Sequence, residues 1–172
     1  MKIILKKELT GSVLDIGGGG EGIIGRLYGS RVTAIDNRQE ELDEAPDTCT
    51  KLCMDATALS FADESFDAVT AFYSLLFMTA REQERAIAEG IRVLRPGGRL
   101  CLWDCAVESA YPDPFVTELD VDLEGELLHT SYGICKLDAQ SWESILSFCL
   151  TKGLTLLTSR QEGIHFYLEL QK

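Results

Sequence analysis

The sequence predicts an α/β fold built on a mostly parallel sheet with helices on both faces. Strand and helix patterns alternate through residue 104, and the strands are nearly continuous apolar runs, which is typical of strands buried on both sides. The last two strand patterns are separated only by a turn at 161–163, and so short a connection requires an antiparallel hairpin. No repeat or linker interrupts the pattern, so we expect a single domain over residues 1–172.

Glycine and proline mark the boundaries of the predicted elements. "SVLDIG" is a compact apolar strand that ends in glycines, and the helix after it keeps apolar residues at helical spacing until a glycine stops it. Pro46 ends a second, charged helix and Pro96 a third, for which Thr79 is the expected N-cap, while Asp138 or Ser141 caps the last helix. In order, we predict a strand at 12–17, a helix over 21–29, a strand at 31–36, a helix over 38–45, strands at 50–56 and 65–74, a helix over 79–95, a strand at 99–104, a helix over 138–152, and strands at 154–159 and 164–171.

The segment 105–137 breaks this alternation. It contains two prolines, an acidic run that alternates with apolar residues, and a Glu124-Gly125 turn. We interpret it as an inserted hairpin-like segment over the edge of the sheet and as a candidate substrate lid.

Composition argues against several classes of partner. The net charge of −12 and the pI near 4.5 give a surface that repels polyanions, so we expect a small neutral or cationic substrate, or a protein, rather than nucleic acid. No apolar run reaches the ~18 residues that span a bilayer, and "MKIILKKELTGS" lacks the apolar stretch of a secretory signal. We therefore expect a cytoplasmic protein that does not insert into membranes.

The six cysteines do not predict a metal site or a disulfide. Cys101 and Cys105 lie four residues apart on one predicted strand, which separates them by ~13 Å. Cys49 and Cys53 have no second pair at zinc-binding spacing. We interpret the cysteines as buried, reduced thiols that pack as small apolar groups.

The stretch "VLDIGGGGEGIIGRLYGSRVTAIDN" is a strand, a glycine turn, a helix and a second strand ending in Asp36. Such a turn lets the backbone approach a ligand closely, and Asp36 would lie beside it, placed to bind two ribose hydroxyls. The alternative is that Asp36 caps the helix over 38–45. The glycines also match the dinucleotide pattern G-x-G-x-x-G, but Glu21 would repel a pyrophosphate at the start of the helix, whereas a cationic ligand would not be repelled.

Four segments in order resemble class I S-adenosylmethionine (SAM)-dependent methyltransferases. "VLDIGGGGEG" is similar to the first motif of the family, "AIDN" to the second, "MDATALSFADESFDAV" to the region of the third and fourth strands, and "LRPGGRLCLWD" to the fifth strand and the turn before it. The resemblance covers residues 10 to 105. It implies a Rossmann-like, doubly wound seven-stranded sheet with strand order 3-2-1-4-5-7-6, and SAM as the cofactor with S-adenosylhomocysteine (SAH) as the product.

The resemblance also implies the cofactor-binding residues. At the nucleoside end, Asp36 would bind the ribose, Asp55 the adenine amino group and the Ala56 N–H the adenine ring. Asn37 stands where an apolar residue commonly packs on adenine. Asp55 could instead only form a turn.

At the methionine end, the resemblance implies contacts from Asp15 and from the backbone of the glycine turn. Asp15 could alternatively serve only to stabilise the loop. Phe72, with Tyr73, would line this end, although one of the two aromatics is expected in the core because adjacent strand residues point to opposite faces. The implied backbone contacts come from Gly17, Gly18 and Gly19.

No catalytic base is predicted with certainty from the sequence. Three side chains are candidates, namely Tyr73, Asp104 and His129, and His129 could equally be a surface histidine. His165 lies inside the last predicted strand, so we interpret it as structural.

Two departures from the family bear on the site. Glu21 stands where a glycine is usual, and only 11 residues precede the first strand, so the helices that often cover the cofactor are missing. The cover would then come from 105–137 or from a partner subunit, or the site would have none. The apolar "KIIL" could pair with a strand of that partner, which predicts a homodimer.

These observations lead to one main interpretation and two alternatives. We expect SAM-dependent methyl transfer to a small-molecule acceptor by in-line displacement at the sulfonium methyl. A non-catalytic SAM-binding protein is the first alternative. An NAD-dependent oxidoreductase is the second, but it would need a further strand–helix half and a substrate region with its own catalytic set.

Overall fold

Two sheets organise the chain in a computed structural model that describes residues 1–108, 111–136 and 138–172. The strands are β1 (Lys2–Leu5), β2 (Val13–Ile16), β3 (Val32–Asp36), β4 (Thr50–Cys53), β5 (Phe66–Phe72), β6 (Leu94–Cys105), β7 (Phe115–Leu123), β8 (Glu126–Ile134), β9 (Thr155–Glu162) and β10 (His165–Gln171). The helices are α1 (Ile23–Tyr28), α2 (Gln39–Glu44), α3 (Ala80–Val93) and α4 (Trp142–Thr151), with short 3-10 turns at Gly29–Arg31 and Leu75–Phe77.

The main sheet has the strand order β4-β3-β2-β5-β6-β10-β9. Strands β2 to β6 pair in parallel, whereas β10 is antiparallel to both β6 and β9. Numbered within this sheet alone, the order is 3-2-1-4-5-7-6, so the predicted fold class and topology are confirmed. The central strands β2 and β5 are buried at every position except Asp67, because both faces of the sheet are covered.

Different elements cover the two faces. On one face, α3 and α4 pack their apolar sides onto the sheet through residues such as Ile87 and Ile145. On the other face, the main sheet is covered by α1 and by a small sheet of three strands, β1, β7 and β8. Leu119 and Val121 of β7 enter the core there. Helices alone were predicted for both faces, and the small sheet takes part of this role because its inner side chains are apolar.

Two strands of the inserted segment form a three-stranded sheet together with β1, in the order β1-β7-β8. Strands β7 and β8 form the expected antiparallel hairpin around the Glu124-Gly125 turn. Strand β1 contains "KIIL" and pairs in parallel with β7 of its own chain at the edge of this sheet. The hairpin lies over a face of the main sheet and not only over its edge.

Several element boundaries and the cysteines also differ from expectation. Ser141, not Asp138, caps α4, since its Oγ accepts a hydrogen bond from the Ser144 N–H. Strand β6 begins before the Pro96-Gly97-Gly98 turn instead of after it. Cys53 and Cys135 are exposed, so the expectation of buried thiols holds only for part of the set: Cys101, Cys105 and Cys149. In the described ranges, none of the helices is both long and apolar enough for a membrane crossing.

We expect Leu14→Ala to lower the free energy of unfolding by about 2–5 kcal/mol, because Leu14 is fully buried in the central strand and truncation leaves a cavity. Chemical denaturation measures the change. The control is Leu127→Ala, whose side chain is 60% exposed on β8, and it should shift stability by less than about 0.5 kcal/mol. Equal effects of the two variants would contradict this account of the core.

Candidate functional site

A cavity of about 790 Å³ opens at the carboxyl ends of the parallel strands. Its walls come from the glycine turn after β2, the end of β3, the segment 54–57 after β4, the segment 72–78 after β5 and residues 131–133 of β8. This is the place where open parallel sheets bind ligands, because the strand order reverses between β2 and β5. Its volume lies in the range of small-molecule sites.

The glycine turn is pressed against the sheet. The N–H groups of Gly17 and Gly18 both donate to the Ile35 carbonyl, at 2.8 and 3.0 Å. A Cβ atom on Gly18 would lie 2.6 Å from Asp15 Oδ2, so only glycine fits there. These two N–H groups therefore bond to β3 and not to a ligand, so a ligand would contact other backbone atoms of the turn.

Asp15 is almost completely buried and lines the cavity. Its Oδ1 accepts a hydrogen bond from the Thr70 hydroxyl at 2.7 Å, and its Oδ2 faces Gly18. Burial raises the pKa of Asp15 to about 7, with the Thr70 hydrogen bond acting against the rise and the nearby Asp36 charge adding to it. The fold thus holds this carboxyl group beside the glycine turn and away from water, which disfavours its charged form.

Asp36 lies at the end of β3 and turns toward the glycine turn. Its Oδ1 accepts from the Arg38 N–H at 3.0 Å, and a Cβ on Gly19 would come within 2.9 Å of its Oδ2. The cap position of α2 is Arg38, which makes no side-chain capping bond, so Asp36 forms a turn and does not cap the helix. Its second oxygen is directed at the cavity wall.

Asp55, Ala56 and Asn37 line the cavity on the β3–β4 side. Asp55 Oδ1 accepts from the Thr57 N–H at 2.8 Å, which is the turn that the alternative interpretation expected. One oxygen of the Asp55 carboxylate is thus used in this turn. Asp36 and Asp55 lie close to the ends of two adjacent strands, because β3 and β4 pair in parallel.

Phe72 and Tyr73 both line the cavity, although the alternation of a strand would place one of them on the far side. Tyr73 adopts a left-handed backbone conformation with φ of 48°, and β5 ends there. The ring centroids of Phe72 and Tyr73 are 5.1 Å apart. Positive φ is strained for a bulky residue and is found most often at functional sites.

Tyr73 contacts a histidine that the sequence analysis interpreted as structural. Its hydroxyl lies 2.8 Å from His165 Nδ1 at the start of β10, and its ring stacks on Tyr132 with a centroid distance of 5.2 Å. Burial raises the pKa of Tyr73 and lowers the pKa of His165, so a neutral phenol can donate to a neutral imidazole. Sequence alone gave no signal for this pair, since the two residues are far apart along the chain.

The inserted segment completes the cavity with Tyr132, which sequence reasoning also missed. Burial and the neighbouring Glu21 carboxylate raise the pKa of Tyr132, so its hydroxyl keeps its proton. Glu21 Oε1 in turn accepts a hydrogen bond from the Thr130 hydroxyl. The unusual Glu21 of the glycine turn therefore connects that turn to β8.

The structure does not bring the other two catalytic candidates to the cavity. His129 lies on the outer face of β8, where its Nδ1 is 2.9 Å from Asp120 Oδ1. Asp104 is fully buried behind the cavity and accepts hydrogen bonds from the Gln140 side chain and the Leu76 N–H. Burial raises the pKa of Asp104 to about 6, against the effect of these hydrogen bonds.

Residues 14–102 match the family model described as a methyltransferase domain. The chain belongs to this family. It is 33% identical over 138 residues to 27-O-demethylrifamycin SV methyltransferase from Amycolatopsis mediterranei, which covers 73% of this chain and 49% of that protein. It is 37% identical over 101 residues to the ubiquinone/menaquinone biosynthesis C-methyltransferase UbiE from Paracoccus denitrificans, which covers 51% of this chain and 40% of that protein.

The methyltransferase domain thus spans less than half of the length of these two curated relatives. Among solved structures, it is similar to a SAM-dependent methyltransferase from Methanosarcina mazei, with a TM-score of 0.65 and 23% identity over 95% of this chain and 94% of that one. At this level of identity the structural likeness shows the fold.

We expect Asp15→Asn to stabilise the domain, and to do so more at high pH. Because the folded pKa of Asp15 is raised, the wild-type protein loses stability as the pH rises from about 4 to about 7, whereas an amide does not ionise. Chemical denaturation at about pH 5 and about pH 8 should show a gap between variant and wild type that widens with pH. A gap independent of pH would contradict the burial of a charged Asp15.

Proposed function

We propose that the protein binds SAM in this cavity and transfers the methyl group to a small-molecule acceptor, with SAH as the product. The observation that carries the proposal is the placement of Asp36 and Asp55 at the ends of adjacent strands, beside a glycine turn that only glycine can form. Membership of the methyltransferase family and the printed activities of the relatives support it.

The residues of the cavity fit the two ends of SAM. Asp36 would accept hydrogen bonds from the ribose hydroxyls, because its Oδ2 faces the glycine turn. Asp55 would accept from the adenine amino group, with Ala56 and Asn37 against the ring. The methionine end of SAM would then lie against Asp15 and the aromatic ring of Phe72. It would also contact the backbone of the glycine turn at Gly17, Gly18 and Gly19.

The charges of the site fit as well. SAM carries an ammonium and a sulfonium, and Asp15 and Glu21 lie at the end of the cavity where these groups would sit. Glu21, which disfavours a pyrophosphate, favours a cation at the same place. When bound, SAM supplies an electrophilic methyl carbon whose bond to sulfur breaks as the acceptor forms its bond to that carbon in line.

The protein's own contribution is binding, alignment and the exclusion of water. Tyr73 and Tyr132 keep their protons, so each can donate a hydrogen bond but neither carries a negative charge that would compete with the acceptor. The strained backbone of Tyr73 fixes the end of β5 where the acceptor would approach.

The inserted segment 105–137 would act as the lid of the site. Ser131, Tyr132 and Gly133 line the cavity, and the Thr130–Glu21 hydrogen bond fastens β8 to the glycine turn. The homodimer and the cytoplasmic location expected from sequence stay predictions, and light scattering measures the first of them.

We expect Asp36→Ala to abolish measurable SAM binding in calorimetry, because the ribose hydroxyls lose their acceptor. The matched control is Asp43→Ala, which removes a carboxylate from the exposed side of α2 where it bonds only to Gln39 among the described residues. The control should bind SAM as the wild type does. Wild-type affinity in Asp36→Ala would remove the cofactor assignment.

A screen of small-molecule acceptors with methyl-labelled SAM tests the activity itself. We expect label to pass to at least one uncharged or amine acceptor and SAH to accumulate in equal amount. Tight SAM binding without transfer to any acceptor would favour the non-catalytic binding protein instead.

We expect Thr130→Val to release SAH about three- to tenfold faster than the wild type, since it loses the hydrogen bond to Glu21 and leaves that carboxylate unpartnered. Stopped-flow dissociation measures the rate. Thr117→Val is the control, because Thr117 is also buried, on the neighbouring β7, but its hydroxyl does not bond to Glu21. Identical rates for both variants would contradict the role of the lid.

A further inference from the structure

A second cavity adjoins the first on the side away from the nucleoside end. It measures about 260 Å³ and shares two wall residues, Phe77 and Gly133, with the larger cavity. The rest of its wall comes from Leu76 and from 134–136. We call the joined space between the Leu75–Phe77 turn and β8 the acceptor cleft, because it leads from solvent to the methionine end of the main cavity.

Aromatic rings form the wall of the acceptor cleft. Phe77 is 58% exposed, which is unusual for a large apolar side chain that lies inside a cleft. Its ring meets Tyr132 edge-on at a centroid distance of 6.4 Å and an angle of 72°, and Tyr132 stacks on Tyr73. The exposed face of Phe77 is therefore held in a fixed orientation and can stack on a flat ligand.

The electrostatics of the joined space disfavour anions. The only basic residue among the described residues that line the larger cavity is Arg38, and it is paired with Glu41 at 2.9 Å. Lys136 lines the smaller cavity, but its Nζ donates to Gln140 Oε1 at 3.0 Å, and the charges of Asp138 and Asp104 act on it. Seven carboxylates line the larger cavity: Asp15, Glu21, Asp36, Glu41, Glu44, Asp55 and Glu82.

We infer that the acceptor cleft binds the methyl acceptor as a planar ring, uncharged or cationic, that lies against Phe77 and Tyr132, and that it rejects anionic rings. This inference rests on the proposed methyltransferase function and adds the chemical class of the acceptor to it. Because carboxylates outnumber basic side chains around the joined space, an anion would be repelled there, whereas a cation would gain from both the carboxylates and the ring faces.

Three probes that share one ring system test the inference on the full chain loaded with SAH. They are 2-naphthol, which is uncharged, 2-naphthylmethylamine, which is cationic, and 2-naphthoate, which is anionic. Titration followed by NMR should show binding of the first two and at least about tenfold weaker binding of the third. Equal or tighter binding of 2-naphthoate would overturn the inference.

The variant Phe77→Ala locates the binding. It should weaken binding of 2-naphthol by about tenfold, because the stacking surface is removed. Leu127→Ala is the matched control, since Leu127 is equally exposed on the outer face of β8, and it should bind 2-naphthol as the wild type does. Binding of SAH by Phe77→Ala, together with its melting temperature, reports whether the variant is folded.

The outcomes separate this inference from the proposed function. If the wild type does not bind SAH, the proposed function fails. If it binds SAH but none of the naphthalene probes, or if Phe77→Ala binds 2-naphthol unchanged, the acceptor class is wrong while the cofactor site stands.

Discussion

The close approach of the glycine turn to β3 is the constraint on which the site depends. Two successive amides, from Gly17 and Gly18, donate to the single carbonyl of Ile35, and this contact leaves no room for a side chain beside Asp15. The turn therefore lies flat across the ends of β2 and β3, and the space above it becomes the cavity. Any bulk at Gly18 would lift the turn and would close the place where a ligand lies against the backbone.

Three features in or near the cavity lower the stability of the folded state, and burial of apolar side chains elsewhere has to offset them. Asp15 is buried with its pKa raised to about 7, Asp104 is buried behind it with its pKa raised to about 6, and Tyr73 holds a left-handed backbone. Each of these lowers the stability of the folded state, and each lies in or directly behind the cavity. The apolar layers on both faces of the main sheet supply the compensating burial.

The small sheet links the core of the protein to the wall of the cavity. Its inner face packs on the main sheet through β7, and this packing carries β8 to the open end of the cavity. Glu21 then has two roles, since it accepts from Thr130 and also raises the pKa of Tyr132. A residue that departs from the usual glycine pattern thus stands where the proposed cofactor and the proposed lid would meet, close to the start of α1.

Strand–helix alternation along the chain was enough to predict the parallel sheet, and the family resemblance predicted its strand order and placed Asp36 and Asp55 on one side of the site. Regular strand–helix alternation fixes the parallel pairing, and parallel pairing brings the carboxyl ends that carry Asp36 and Asp55 to one edge. The surroundings of Tyr73 could not be predicted in this way, because they come from elements that are far apart along the chain. Tyr132 and His165 reach Tyr73 through the packing of β8 and β10, and His129 points outward because the register of the hairpin, which no local pattern specifies, places it on the other face.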